Sequence, residues 1–125
     1  MSESIRIISF SLKRGVPERK ASRLNIVYNL SKTITNPYRI SKLRKLNGLD
    51  PEVQQFILRC KKTKSMLDKM MFSVTFGYRD IMIGCLGGKH RSVAMAELLA
   101  QRVRAHEFYK DTPIEVIHRD LNEVK

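Results

Sequence analysis

The stretch DIMIGCLGGKHRSVAMAELLA, Asp80 to Ala100, decides how the rest of the chain is read. Its first six residues, Asp80 to Cys85, are a short apolar run of the kind found in a strand buried on both faces. Gly87 and Gly88 follow, and then Val93, Ala96, Leu99 and Val103 recur at helical spacing within a segment from about Arg91 to Tyr109. Strand, glycine turn and helix are the opening of a crossover unit. The expected class is therefore α/β, a small mixed sheet with crossover helices and an anion-binding loop between a central strand and a helix. Ligands of such sheets sit at the carboxyl ends of the strands, which puts the candidate site at residues 84–92.

Working outward, Ile114 to Ile117 is the strand that closes this unit. At the other end of the chain, Ser4 to Leu12 places Ile5, Ile7 and Phe10 close to a two-residue period and reads as a strand, and a second short strand is expected at Leu24 to Tyr28. Thr33 to Asp50 contains Asn36-Pro37 and Asn47-Gly48, both turn formers, so it reads as loop with a basic helical turn at Ile40 to Leu46. Asp50-Pro51-Glu52 is a helix start, with Asp at the cap and Pro where its missing N–H costs nothing. Val53, Phe56, Ile57, Cys60, Leu67, Met70 and Met71 continue it as one long helix or two short ones to about Phe72.

The 125 residues fit a single domain, 1–125, and 42% hydrophobic content suffices for a core. No apolar run approaches the roughly 18 residues of a membrane span. The start MSESIRIISF lacks the features of a signal peptide, and two cysteines, Cys60 and Cys85, cannot build a disulfide framework. Together these point to a cytoplasmic protein with no membrane association. The formal charge of +12 points to an anionic partner. It is concentrated in one region: between Lys13 and Lys45 there are ten basic residues and one acid, Glu18, with Tyr28 and Tyr38 interleaved. Cations for phosphates and rings for bases suggest an RNA-binding surface formed by Lys13, Arg14, Lys32, Arg39, Lys42, Arg44 and Lys45.

The loop Gly84 to Ser92 carries the chemistry. At a strand-to-helix turn, free backbone N–H groups and the positive end of the helix converge, which suits an anion. Gly87 and Gly88 let the backbone curl into a nest, Arg91 offers a planar fork for two phosphate oxygens, and Lys89, His90 and Ser92 add donors. The same residues also read Cys85-x-x-Gly88-x-x-Arg91-Ser92, the spacing of cysteine-dependent phosphatases. In that chemistry a Cys85 thiolate would attack phosphorus while Arg91 holds the oxygens, and Asp80, Asp111 or Asp120 would supply the acid. A small buried residue closing the strand is the bland alternative for Cys85.

Other patterns lead nowhere. His118-Arg119-Asp120-Leu121 copies a kinase tetrapeptide without the glycine-rich loop, strand lysine and downstream Asn that kinases need. Gly84, Gly88 and Lys89 fall one residue short of a nucleotide-binding P-loop, with His90 in place of Ser or Thr, so no NTPase activity is expected. His90, His106 and His118 show no metal-ligand spacing. Neither a metal site nor a cofactor is expected.

Over almost the whole chain and in the same order, GCLGGKHRSVAMAELLA, SFSLKRGVP, NPYRISKLRKLNGLDPEVQQFI and HRDL resemble the C-terminal domain of the RNase adapter family RapZ. The resemblance implies an α/β domain with a phosphosugar-sized anion pocket, sensing of glucosamine-6-phosphate, RNA binding, a ribonuclease or other protein partner, and self-association into oligomers. It assigns Cys85, Gly87, Gly88, His90, Arg91 and Ser92 to the pocket. This chain departs from the family at Leu86, where threonine is usual, and at Arg14, where the family has histidine.

Overall fold

The computed structural model describes residues 3–121, with the side chain of Arg39 outside that description. Four strands form one sheet: β1 (Ile5–Ser11), β2 (Asn25–Asn29), β3 (Asp80–Cys85) and β4 (Ile114–His118), in the order β2-β3-β1-β4. The α/β class is as expected. Every pairing is parallel, however, so the sheet is not mixed. The physical reason lies in the connections, none of which is a tight hairpin. Residues 12–24 join β1 to β2, residues 30–79 join β2 to β3, and a helix lies between β3 and β4, so each link has the length that a return to the same edge requires.

Three helices complete the fold: α1 (Pro51–Arg59), α2 (Thr63–Phe76) and α3 (Arg91–Ala105). The apolar run from Val53 to Met71 is thus two helices, interrupted at Cys60 to Lys62. α3 ends at Ala105 rather than near Tyr109, and residues 107–109 continue as a separate 3-10 turn. Asp50 occupies the cap position of α1, but its carboxylate turns back and accepts the Asn47 N–H at 2.8 Å. That bond closes the Asn47–Asp50 turn, and this turn meets the candidate site.

Parallel register gives the sheet two different faces. Ile5 and Ile7 of β1 lie beside Ile81 and Ile83 of β3, in a core with Val53, Ile57, Met70, Val74, Leu99 and Val103 from the helices. On the opposite face Ile8, Phe10 and Met82 make a smaller cluster with Leu12, Val27 and Ile117. β3 is buried throughout, as its composition predicts. At the amino end of that strand Asp80, fully buried, receives Nε and Nη2 of Arg6, both at 2.8 Å, and Nε of Arg23 at 2.7 Å. Burial pushes the Asp80 carboxyl up, and the two guanidinium groups override it and hold the carboxyl below its ordinary value. Among the described residues no helix is long and apolar enough to cross a membrane, and no cluster of His, Cys, Asp and Glu fit for a metal ion is present.

Candidate functional site

The carboxyl ends of β1 and β3 meet the amino end of α3 through the loop Leu86–His90. Two close approaches fix this loop. Gly88 has φ +66, and a Cβ there would lie 2.8 Å from Ser11, so the position requires glycine both for its backbone and for its space. Ser11 in turn donates its hydroxyl to the Leu86 carbonyl at 2.8 Å and its N–H to Asp120 Oδ2 at 2.7 Å. On the other side the Gly48 N–H donates to the Lys89 carbonyl at 2.8 Å, and a Cβ on Gly48 would stand 2.3 Å from the Ala94 nitrogen. The Asn47-Gly48 turn therefore packs directly on the first turn of α3.

Beside this loop opens a cleft of about 330 Å³ lined by Lys13, Asn36, Tyr38, Cys85, Leu86, Gly87, Lys89, His90 and Arg91. Of the residues assigned to an anion site from sequence, five border the cleft, namely Cys85, Gly87, Lys89, His90 and Arg91. Gly88 shapes the loop behind it, and Ser92 is buried, bonded to Cys85. Lys13, assigned to the RNA surface, borders the cleft as well. Tyr38, read from sequence as a ring interleaved among the cations of the RNA surface, lines the cleft too, as do Leu86 and Asn36, the last given no role from sequence. Asn36-Pro37-Tyr38 read as a turn, and nothing local announces that residues 31–46 fold back as a wall of the site.

The cations differ in what they are free to do. Arg91 is only 3% exposed, and its Nη1 donates to the carbonyls of Ser31 at 3.2 Å and Ile34 at 3.1 Å. It therefore ties the wall 31–36 to α3 as well as placing a positive charge at the cleft. Lys89 Nζ reaches the Arg44 carbonyl at 3.5 Å. Arg44 donates to the Tyr38 carbonyl at 3.1 Å and lies 4.8 Å from the Tyr38 ring centre, so it covers one face of that ring. The Tyr38 ring meets His90 edge-on at 6.5 Å.

His90 Nε2 lies 3.1 Å from the Leu43 carbonyl, and because a carbonyl only accepts, that nitrogen carries the proton. Burial lowers the His90 pKa below 6.5, against the hydrogen bond to Leu43 and with help from Lys89 and Arg91. The ring is therefore neutral at neutral pH and adds shape to the site rather than charge.

Cys85 Sγ donates to Ser92 Oγ at 3.2 Å and accepts the Ser92 N–H at 3.4 Å. The three acids considered for a phosphatase stand elsewhere. Asp80 begins β3, roughly 16 Å up the strand from Cys85. Asp111 belongs to the turn before β4. Asp120 borders no part of the cleft and is bound by the Ser11 N–H and by Arg119 at 2.7 Å.

The other basic residues lie on the segments that follow β1 and β2. Lys13 and Arg14 lie in the 3-10 turn after β1. Lys32 borders a second hollow with Ser31, Thr33 and Arg91, and Lys42 borders a third with Leu43 and Phe56. Lys45 is exposed. Arg39 ends a 3-10 turn, and its side chain lies outside the described residues.

A parallel α/β domain with a glycine-shaped, cation-lined strand-to-helix loop over the carboxyl ends of its strands defines the class of protein. Within that class the chain belongs to the RapZ C-terminal domain family, whose model matches residues 3–122. It is similar to a nucleotide-binding protein of Listeria monocytogenes serotype 4a (strain HCC23), 32% identical over 132 residues, covering 98% of this chain and 42% of that protein. A nucleotide-binding protein of Mycobacterium avium (strain 104) is 34% identical over 128 residues, covering 94% of this chain and 41% of that protein. The chain spans about two fifths of the length of these relatives.

Proposed function

We propose that this domain is an RNA-binding regulatory module of the adapter type whose cleft takes a small phosphorylated molecule, with a phosphosugar such as glucosamine-6-phosphate as the first candidate. One observation carries the reading: Lys13, Lys89 and the amino end of α3 converge on a cleft of about 330 Å³ that also offers Asn36 and the Tyr38 ring. That volume lies at the lower end of small-molecule sites, which suits a sugar phosphate better than a dinucleotide. Lys13 lines the cleft itself, and Arg14, Lys32, Lys42, Arg44 and Lys45 on the segments after β1 and β2 would add contacts to RNA phosphates, so ligand and RNA would meet at Lys13. A ribonuclease or another protein is the partner such a module would serve, and assembly into oligomers would multiply the RNA contacts.

The phosphatase reading has the Ser92 N–H donating to the Cys85 sulfur in its favour. Among the described residues no acid lines the cleft to protonate a leaving group, and Arg91 commits a nitrogen to the Ser31 and Ile34 carbonyls. Binding without turnover is therefore favoured. Calorimetry with glucosamine-6-phosphate and inorganic phosphate, beside a para-nitrophenyl phosphate assay, separates the two. Saturable binding with no hydrolysis supports the module, whereas hydrolysis lost in Cys85→Ser would replace it with an enzyme.

A further inference from the structure

α2 buries Thr63, Leu67, Met70, Ser73 and Val74 and turns a different stripe outward. Lys62 at its start, then Lys69, Phe72 and Phe76, follow one another at steps of seven, three and four residues, the spacing of a single helix face. All four are exposed, and Phe72 and Phe76 are each 68% exposed. Their rings stack at 6.3 Å and 28°, and Tyr78 stacks below Phe76 at 6.0 Å and 25°. Gly77 makes this column possible. With φ +123 it reverses the chain after the helix, its N–H bonds to the Ser73 and Val74 carbonyls, and the Tyr78 N–H bonds to Ser73 as well.

Two phenylalanines so open to water, in register with a third ring, exceed the scattered apolar residues of an ordinary surface. The stripe carries two lysines and no acid. Asp68, the neighbouring acid on α2, is held by Arg102 at 2.6 Å and Lys64 at 3.1 Å. A second copy of a chain with charge +12 would bring lysines against lysines here. We infer that the Phe72-Phe76-Tyr78 column, with Lys69 one turn away and Lys62 roughly 15 Å back along the same helix face, is a stacking platform for single-stranded RNA, its rings at the end of the sheet opposite the cleft. Bases meet the rings and phosphates meet the lysines, with no sequence preference required. The inference rests on the RNA-binding reading above and locates a second contact surface for it.

The test is fluorescence anisotropy of the full chain with a labelled oligouridine and with a fully paired RNA duplex, across a salt series. Phe72→Ala/Phe76→Ala should weaken oligouridine binding about tenfold or more and leave duplex binding and the salt slope unchanged. Phe72→Tyr/Phe76→Tyr, which keeps the rings, should retain oligouridine affinity. Unchanged oligouridine affinity in the alanine variant overturns the platform while leaving RNA binding in place. A wild-type dimer in sedimentation that the alanine pair converts to monomer, with oligouridine binding intact, assigns the column to self-association and also overturns it. Failure of the wild-type chain to bind either RNA removes both the platform and the reading beneath it.

Discussion

Gly88 and Gly48 show how much of the cleft depends on single positions. At Gly88 an alanine must adopt φ +66 with its Cβ 2.8 Å from Ser11, which is backbone strain and a clash at once. Gly88→Ala should cost about 1–3 kcal/mol in denaturant unfolding and should also weaken phosphate binding. Gly48→Ala should be at least as costly, because the obstacle is the backbone of α3. His90 gives a dependence on pH. Its pKa is lowered in the folded chain, so protonation favours unfolding: the stability it contributes is complete above about pH 6.5 and falls as pH drops from there toward the depressed folded value. Thermal unfolding followed through this range should show the decline, and His90→Gln should flatten it. That Cys85, Gly87, Lys89, His90 and Arg91 would line one cleft is legible in the sequence because they lie within one short loop. Asn36 and Tyr38 reach the cleft through long-range ties, the Arg91 bonds to residues 31–34 and the His90 contacts with Leu43 and Tyr38, and no local spacing encodes those.

Among the elements, β3 and α3 follow from their own residues, the strand from an unbroken apolar run and the helix from its period. What sequence leaves open is how neighbouring elements end and pair. The break between α1 and α2 at Cys60 to Lys62 has no proline or glycine to mark it. The parallel direction of all four strands comes from the length of the connections rather than from any strand. The Arg6-Asp80-Arg23 clamp ties β1, β3 and the chain entering β2 at their amino ends, and its members lie far apart in sequence. Asp80→Asn leaves two largely buried guanidinium groups without their carboxylate and should cost about 3–5 kcal/mol. Asp80 is held below its ordinary value, so its contribution is present above about pH 4 and is lost as pH falls through the folded pKa. Acid unfolding of Asp80→Asn should accordingly lack this step.

At the scale of the whole molecule, charge and rings are divided between two ends. The carboxyl edge of the sheet carries the cleft, Lys13, Arg44 and Lys89, and the amino edge carries the aromatic column at the end of α2. Net charge alone points to an anionic partner, and the crowding of cations between Lys13 and Lys45 is the reason for proposing an RNA surface there. It does not reveal that Lys13 faces the cleft or that Arg91 also serves as a structural tie. RNA affinity should fall steeply with salt, and Lys13→Ala/Lys45→Ala should reduce the slope of log affinity against log salt by nearly two if both lysines meet phosphates.

The most direct measurement is calorimetric titration of glucosamine-6-phosphate into the wild-type chain and into Lys89→Ala, a variant that leaves the Arg91 ties to residues 31–34 in place. Saturable binding by the wild type, weakened about tenfold or more by loss of one charge-assisted contact, is expected. Equal affinity of the two proteins, or no binding by either, would contradict a phosphate site at the β3–α3 loop.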